Sequence, residues 1–262
     1  MREIAGLHVE TVGAGPPLVL LHGWAMHGGL FAPLLPALAQ RYRVSVVDLP
    51  GHGHSAPVLP YTLDAIVAAI AAQFDEADAP VTVLGWSLGG AIAMRWALLH
   101  PEQVARLLLV CATPRFTATS DWPRAMAPDT LAKFGDELTV AYRLTLQRFL
   151  SLQVQGSDEG RRTLAGLRAQ LFARGEPSRE TLKAAIRVLA ETDLRNDVRS
   201  ITAPTLIVTG GRDALVPGAA GAWLARTIPG ARHVDIAGAA HAPFLSHPRA
   251  FNAEIEEFLD AR

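Results

Sequence analysis

The sequence predicts an α/β protein with a mostly parallel, doubly wound sheet that has helices on both faces. Short apolar runs rich in Val, Leu and Ile alternate with longer stretches of helix-forming residues, and Gly or Pro bounds the runs. Buried parallel strands have this continuous apolar character because helices cover both faces of their sheet. The alternation stops between about residues 114 and 200, where helical segments follow one another without a strand candidate. That segment is therefore predicted to be a helical insertion.

Six apolar runs are predicted to be parallel strands, at 17–23, 42–51, 81–85, 105–113, 205–211 and 232–238. The early segment IAGLHVETVG is predicted to be an antiparallel edge strand. Helices are predicted at 63–74 and 88–100 and, after an irregular stretch at 113–134, at about 136–154, 158–173 and 178–192. We therefore divide the chain into a core of residues 1–113 and 201–262 and a helical lid of residues 114–200. The two parts are expected to form one compact domain.

Composition excludes several classes of protein. Half of the 262 residues are hydrophobic and 19% are charged, which suffices for a sizeable core. The formal net charge of −1 gives no general attraction for nucleic acid or for an anionic membrane.

No apolar run approaches the length of a membrane span, and the first 17 residues lack the apolar run of a secretory signal. The single cysteine, Cys111, is expected in a buried strand, and a cytoplasmic protein is expected.

A lone serine lies in the motif G-W-S-L-G between a predicted strand and a predicted helix. Such a corner is so tight that the serine takes a strained backbone conformation. Gly85 and Gly89 remove side chains that would collide with the helix and the neighbouring strand. We therefore predict that Ser87 is a nucleophile at the carboxyl edge of the sheet, with the positive end of the helix dipole behind it. Trp86 is expected to pack beside it and shape the acyl pocket.

A serine hydroxyl is a weak nucleophile, so it requires a general base and a group that orients this base. Asp213 follows the predicted strand 205–211, and His241 lies in a loop of small residues after the last predicted strand. Open α/β sheets build their sites at the carboxyl ends of the strands, where both residues lie. We predict His241 as the base and Asp213 as the orienting acid. The alternatives weighed are Asp193 and Asp197 for the acid, and the residues expected to be structural, His233, Asp235 and His247.

Attack on a carbonyl creates a negatively charged tetrahedral oxygen that amide donors must stabilise. The predicted donors are the backbone N–H of Leu88, directly after the nucleophile, and that of Trp24 in the loop after strand 17–23. His22 is expected to hold this loop in place. His52 and His54 have the spacing of metal ligands, but further ligands are missing, so a solvated loop is favoured over a zinc site. No metal and no organic cofactor is expected.

These motifs resemble those of the α/β-hydrolase family over nearly the whole chain. LLHGW, DLPGHGHS, GWSLGG, GGRDALVP and AHAPFLSHP occur in the family's order and spacing. Within that family, the sequence closely resembles the BioH-type pimeloyl-acyl-carrier-protein methyl ester esterases of biotin synthesis. The marks of this resemblance are Trp24 after HG, Trp86 before the serine, QRFLSLQ at 147–153, and AHAPFLSHP. It implies the α/β-hydrolase fold, with a helical lid inserted between strands of the sheet.

The resemblance also implies a reaction, which is hydrolysis of the methyl ester of a pimeloyl chain on acyl carrier protein, releasing methanol. Matched by position, the family's triad falls on Ser87, Asp213 and His241, and its oxyanion contacts fall on Trp24 and Leu88. The implied substrate contacts are those two residues with Ser87 and His241, and the lid residues Phe149, Leu150, Ser151, Leu152 and Gln153.

The lid is basic, with nine basic residues against four acidic ones between residues 143 and 187. A positive lid would steer an acidic carrier protein toward the cleft. The predicted docking residues are Arg143, Arg148, Arg161 and Arg162. A solvated arginine-rich helical face is the alternative interpretation. We expect a monomer, with no nucleic-acid or membrane partner.

Three other functions are considered. A general short-chain carboxylesterase or thioesterase would use the same triad, because specificity depends on the shape of the lid. An acyltransferase would pass the acyl group to a nucleophile other than water. A non-catalytic receptor on this fold is disfavoured by the complete triad. Dehalogenase and epoxide hydrolase chemistry would require an aspartate where Ser87 stands.

Overall fold

A computed structural model describes residues 6–74, 80–123 and 125–260. Within these ranges the strands are β1 (Val9–Val12), β2 (Pro17–Leu21), β3 (Arg43–Val47), β4 (Val81–Trp86), β5 (Val104–Val110), β6 (Thr205–Gly210) and β7 (Arg232–Ile236). They form a sheet in the order β1-β3-β2-β4-β5-β6-β7. β1 pairs antiparallel with β3, and every other pair is parallel. The predicted fold class is confirmed, including the antiparallel edge strand.

The helices of the described ranges are α1 (Leu35–Leu38), α2 (Leu63–Ala71), α3 (Leu88–Leu99), α4 (Pro128–Val140), α5 (Tyr142–Gln153), α6 (Gly160–Gln170), α7 (Arg179–Glu191), α8 (Gly218–Thr227), α9 (Pro243–Ser246) and α10 (Pro248–Asp260). β3 pairs on one side of β2 and β4 on the other, so the connecting helices lie on opposite faces of the sheet. None of the described helices is long and apolar enough to cross a membrane.

The core lies around the central strands. All residues of β4 and β6 are buried, whereas β1 and β7 at the two edges are partly exposed. This difference follows from position, because a central parallel strand is covered on both faces. The carboxyl ends of β4, β5, β6 and β7 therefore meet at one edge of the sheet, where the predicted catalytic loops begin.

Helices α4 to α7 follow one another between β5 and β6, in the segment predicted to be the lid. One detail of the prediction was wrong. The single helix expected at about 136–154 is two helices, and the first begins at Pro128, inside the stretch expected to be irregular. The helical conformation is interrupted at Ala141, whose φ of −134° and ψ of 49° are not helical. Alanine favours helix and no glycine or proline lies beside it, so the local sequence carries no signal of the break.

The chain enters and leaves this segment at neighbouring points. Arg115 and Asp193 form an isolated antiparallel bridge, and the Arg115 guanidinium donates to the Asp193 carboxylate at 2.6 Å. Arg195 also donates to Asp193, at 2.8 Å. These contacts hold the segment that enters the inserted helices against the segment that leaves them. The division at residues 114 and 200 stays a prediction.

Candidate active site

Ser87 occupies a strained corner between β4 and α3. Its φ of 57° and ψ of −117° lie in a region that a residue with a side chain rarely adopts. The two glycines of the motif allow this corner. A Cβ on Gly85 would come within 2.3 Å of the Gly89 carbonyl oxygen, and one on Gly89 within 2.2 Å of the Leu21 carbonyl oxygen. Side chains at these positions would force helix and sheet apart.

The structure brings Ser87, His241 and Asp213 into one hydrogen-bonded chain. The His241 Nε2 lies 2.9 Å from the Ser87 Oγ, and the Nδ1 lies 2.7 Å from the Asp213 Oδ2. His241 is almost fully buried and Ser87 is partly exposed. In this arrangement the imidazole can accept the serine proton while the carboxylate stabilises the resulting imidazolium.

Backbone amides fix the carboxylate that orients the base. The N–H groups of Leu215 and Val216 donate to the Asp213 Oδ1 at 2.9 and 3.0 Å. The second oxygen is thereby left to face His241. This loop follows β6, so the strand end sets its position. The sequence placed Asp213 at this strand end but gave no signal for the two amide donors.

The alternative acids and bases lie in other networks. Asp193 binds the arginines that close the base of the lid, as described above. The Thr209 hydroxyl donates to Asp235 at 2.7 Å and lies 2.9 Å from the His233 Nε2. His247 contacts the neighbouring Ser246 hydroxyl at 2.9 Å. The exposed Asp197 lies just before a short 3₁₀ turn.

Two residues hold the backbone of His241. The Trp86 Nε1 donates to the His241 carbonyl oxygen at 2.7 Å, and the His241 N–H donates to the Gln153 carbonyl oxygen at 3.0 Å. Trp86 was expected to shape the acyl pocket, and that expectation was wrong. Its ring is 1% exposed and packs edge-on against Phe244. A tryptophan N–H requires a partner when buried, and here that partner is the loop of the base.

The two predicted oxyanion donors belong to Leu88, which follows the nucleophile in the chain, and to Trp24, which follows Gly23. Leu88 is the first residue of α3, where amides have no acceptor within the helix. A Cβ on Gly23 would come within 3.2 Å of the Ser87 Cβ, so the backbone that leads to Trp24 passes close to the nucleophile. His22 holds this loop, because its Nε2 accepts the Leu49 N–H at 2.9 Å. Their role at the oxyanion stays a prediction.

An apolar channel with a volume of about 50 Å³ leads from Ser87 between the sheet and the helices of the inserted segment. We call it the acyl channel; its walls include Trp24, Met126, Leu131, Phe134, Phe149, Leu152, Ile186 and Leu215. Trp24 connects the loop after β2 to the inserted helices, because its ring packs edge-on against that of Phe149 in α5, with centroids 4.8 Å apart. Its Nε1 also donates to the Leu182 carbonyl oxygen of α7 at 3.0 Å.

Of the five predicted lid contacts, Phe149 and Leu152 are among the residues that line the channel. The other three are not. Leu150 is buried in the core, and the exposed Ser151 donates to a carbonyl of its own helix. Gln153 contacts His241 through its backbone. Residues three apart share a helix face whereas consecutive residues do not, so one segment of α5 cannot turn all five side chains to one cavity.

Two groups of potential metal ligands occur in the described part of the chain, His8 with Asp48 and His54, and Cys111 with Asp213 and His241. In the first, Arg174 already donates to the Asp48 carboxylate at 3.2 Å, and its charge would repel a cation. In the second, burial raises the pKa of the Cys111 thiol, which must lose its proton to bind a metal. We propose neither as a metal site.

The predicted docking arginines are all exposed on α5 and α6. Arg143 pairs with Glu176, and Arg148 lies 3.4 Å from Glu137. Arg162 lies 3.5 Å from Glu159, the residue just before its helix. Exposed pairs of this kind contribute little to stability, so these side chains can exchange partners.

Comparison with known proteins gives the family. A model described as the alpha/beta hydrolase fold matches residues 16–248. The pimeloyl-acyl-carrier-protein methyl ester esterase of Xanthomonas axonopodis pv. citri is 46% identical over 97% of this chain and 98% of that protein. The protein of the same name from Chromobacterium violaceum is 44% identical over 98% of this chain and 99% of that protein.

Solved structures show the same fold. The esterase EaEST from Exiguobacterium antarcticum is 24% identical, with a TM-score of 0.87 over 97% of this chain and 96% of that chain. A bromoperoxidase from Bacillus anthracis is 26% identical, with a TM-score of 0.88 over 97% of this chain and 95% of that chain. The chain therefore belongs to the α/β-hydrolase fold family and, within it, to the pimeloyl-acyl-carrier-protein methyl ester esterases, which are carboxylic ester hydrolases.

Proposed function

We propose that the protein hydrolyses the methyl ester of pimeloyl-acyl carrier protein, releasing methanol and pimeloyl-acyl carrier protein in biotin synthesis. The observation that carries this proposal is the hydrogen-bonded chain of Ser87, His241 and Asp213 at the end of the acyl channel. The full-length similarity to relatives of that name supports the choice of substrate.

The reaction runs in two steps through an acyl-enzyme. His241 accepts the proton of Ser87 as the serine oxygen attacks the ester carbonyl, and the backbone amides of Trp24 and Leu88 stabilise the oxyanion. The imidazolium then donates its proton to the leaving methoxide. A water molecule, deprotonated by the same histidine, releases the acid and returns the proton to the serine. These steps need no metal and no organic cofactor.

The acyl channel suits an aliphatic chain because nearly all of its wall is apolar. Leu152 lies in that wall and is 38% exposed, so we infer that the channel opens to the surface beside α5. A chain bound to a carrier protein requires such an outlet for the arm that connects the two. We propose residues 114–200 as the lid that forms this wall.

The surface beside the outlet supports the docking of an acidic carrier. Arg143 and Arg148 are exposed on the same helix as Leu152, and Arg161 and Arg162 are exposed on α6. The apolar side chains of Val140 and Leu144, 89% and 49% exposed, lie next to them in sequence. An apolar spot with a charged rim is typical of protein interfaces.

Charge reversal tests the docking. In Arg148→Glu/Arg162→Glu we expect KM for methyl pimeloyl-carrier protein to rise about tenfold at low salt, with kcat/KM for a free methyl ester unchanged. Arg226→Glu, an exposed arginine of α8, is the matched control and should change neither. Equal effects on carrier-bound and free esters would refute the docking. A wild-type enzyme that does not prefer the carrier-bound ester would support a general short-chain carboxylesterase instead.

We further propose that the enzyme acts in the cytoplasm as a monomer. The single cysteine of the sequence is buried, which suits a reducing compartment. Gel filtration coupled to light scattering tests the monomer.

A further inference from the structure

Two cavities meet at the nucleophile, and only one of them is the acyl channel. The second, which we call the small cavity, lies against the carboxyl end of β5 and the end of α7. Ser87, Phe116 and Leu189 line both. The residues that line the small cavity alone are Ala91, Cys111, Thr113, Thr192 and Val216.

The two cavities differ in the size of group that they accept. The small cavity has a volume of about 10 Å³, against about 50 Å³ for the acyl channel. Its walls stand so close together that they leave room for about one water-sized group. A methyl group is of that size, whereas a longer alkyl group would collide with the walls.

An ester bound at Ser87 extends in two directions from its carbonyl carbon. One direction leads to the acyl chain, which must continue to the surface if it is attached to a carrier. The other direction leads to the alkoxy group, which in a methyl ester is one carbon. The larger channel with the outlet at Leu152 suits the first part, and the small cavity suits the second.

We propose that the small cavity receives the alcohol part of the ester and restricts the enzyme to methyl esters, with Val216 and Thr192 as specificity-determining residues. This inference rests on the proposed function, because it takes the acyl channel as the site of the acyl chain. It adds a size limit on the leaving alcohol, which the triad itself does not impose.

The water that acts as second substrate must also reach His241, which lines the acyl channel but not the small cavity. Its oxygen therefore lies at the mouth of the small cavity, beside the Ser87 Oγ, which is 2.9 Å from the His241 Nε2. In acylation the bond from the Ser87 Oγ to the carbonyl carbon forms, the bond to the methoxy oxygen breaks, and His241 gives its proton to that oxygen. In deacylation a water oxygen bonds to the same carbon, its proton passes through His241 to the Ser87 Oγ, and the acyl–serine bond breaks. By microscopic reversibility the water attacks from the side that methanol left.

Two hydroxyls of the small cavity can bind this methanol or water. The Thr113 Oγ1 donates to the Arg115 carbonyl oxygen at 2.7 Å, and the Thr192 Oγ1 donates to the Val188 carbonyl oxygen at 2.6 Å. Because each hydroxyl hydrogen is already used, the two oxygens act only as acceptors; the Thr113 Oγ1 already accepts the Arg115 N–H at 3.4 Å and has one lone pair left. An acceptor is what an incoming O–H group requires.

The test varies the alcohol while the acyl chain stays the same. Methyl, ethyl and n-butyl hexanoate are hydrolysed under a pH-stat, and kcat/KM is compared for the wild type and three variants. Val216→Ala enlarges the small cavity, and Thr192→Ser enlarges it by one methyl while keeping the hydroxyl. Leu131→Ala, which enlarges only the acyl channel, is the matched control.

In the wild type we expect kcat/KM to fall at least about tenfold from methyl to n-butyl. Val216→Ala should raise the butyl-to-methyl ratio about tenfold, and Thr192→Ser should raise it less but in the same direction. Leu131→Ala should leave this ratio unchanged and alter the preference among methyl esters of different acyl length. If Val216→Ala does not fold, as thermal melting would show, the ratio in Thr192→Ser decides.

An unchanged ratio in the folded small-cavity variants would overturn the inference. A butyl-to-methyl ratio that changes in Leu131→Ala but not in Val216→Ala would also overturn it. The alcohol part of the ester would then lie in the acyl channel and not in the small cavity. Because these esters carry no carrier protein, the result is independent of whether pimeloyl-carrier protein is the substrate. A failure of the proposed function is seen instead in the carrier-bound assay described above.

Discussion

Replacing Asp213 with asparagine tests how the orienting acid acts. The N–H groups of Leu215 and Val216 donate to the Oδ1, so an asparagine must keep its oxygen there and turn its NH₂ toward His241. In the opposite rotamer the asparagine NH₂ would face the backbone N–H groups of Leu215 and Val216, and no hydrogen bond could form. Facing that NH₂, the Nδ1 of His241 becomes an acceptor and its proton moves to Nε2. The Nε2 can then no longer accept the proton of Ser87, 2.9 Å away.

The expected loss of kcat in Asp213→Asn follows from the tautomer of His241 that carries its proton on Nε2. To react, the variant must break the new hydrogen bond and place the Nδ1 proton against an NH₂ group, and the imidazolium loses its neighbouring negative charge. Together these effects cost about 4–5 kcal/mol of transition-state stabilisation, which corresponds to a fall in kcat of about 10³–10⁴. Stability should change little, because asparagine has the shape of aspartate and keeps both backbone hydrogen bonds.

The assay measures kcat and KM for a methyl ester, together with the melting temperature. Asp197→Asn is the matched control, since Asp197 was the exposed alternative acid; its kcat should equal that of the wild type. A folded Asp213→Asn variant with more than about a tenth of wild-type kcat would refute this account. A comparable loss in Asp197→Asn would show that the orienting acid was assigned to the wrong residue.

Two further predictions concern stability. Arg174→Met removes the guanidinium from the buried Asp48 carboxylate, so the free energy of unfolding in urea should fall by about 2 kcal/mol. The matched change at the exposed Arg168 should cost under about 0.5 kcal/mol, and equal losses would contradict the role of the buried pair. Burial lowers the pKa of His52 from 6.5 to about 4, so the unfolded chain binds the extra proton first and stability falls as the pH drops below 6.5. His52→Leu should reduce this slope by about 1.4 kcal/mol per pH unit between about pH 4.5 and 6.5; equal slopes in urea titrations would refute it.

Much of the fold could be predicted because its signals are local. Each parallel strand is a short apolar run. In the motif around Ser87, Gly85 and Gly89 indicate the tight corner between strand and helix. The break between α4 and α5 could not be predicted, because Ala141 favours helix and no glycine or proline lies beside it. Trp86 was misjudged for a similar reason. Its neighbours in sequence point to the nucleophile, while its actual partner, the carbonyl of His241, comes from the far end of the chain.

The sequence by itself determined which residues could act and at which edge of the sheet they stand. A nucleophile in a glycine-bounded corner, followed in order by an acid and a histidine at strand ends, has few chemical uses. Only the tertiary structure decided what surrounds them. The two cavities at Ser87 have walls from α4, α5, α7 and the segment after β5, and the distances between such walls depend on long-range packing. The size of the leaving alcohol is therefore a property of the folded chain, while the reaction class is already present in the order of its motifs.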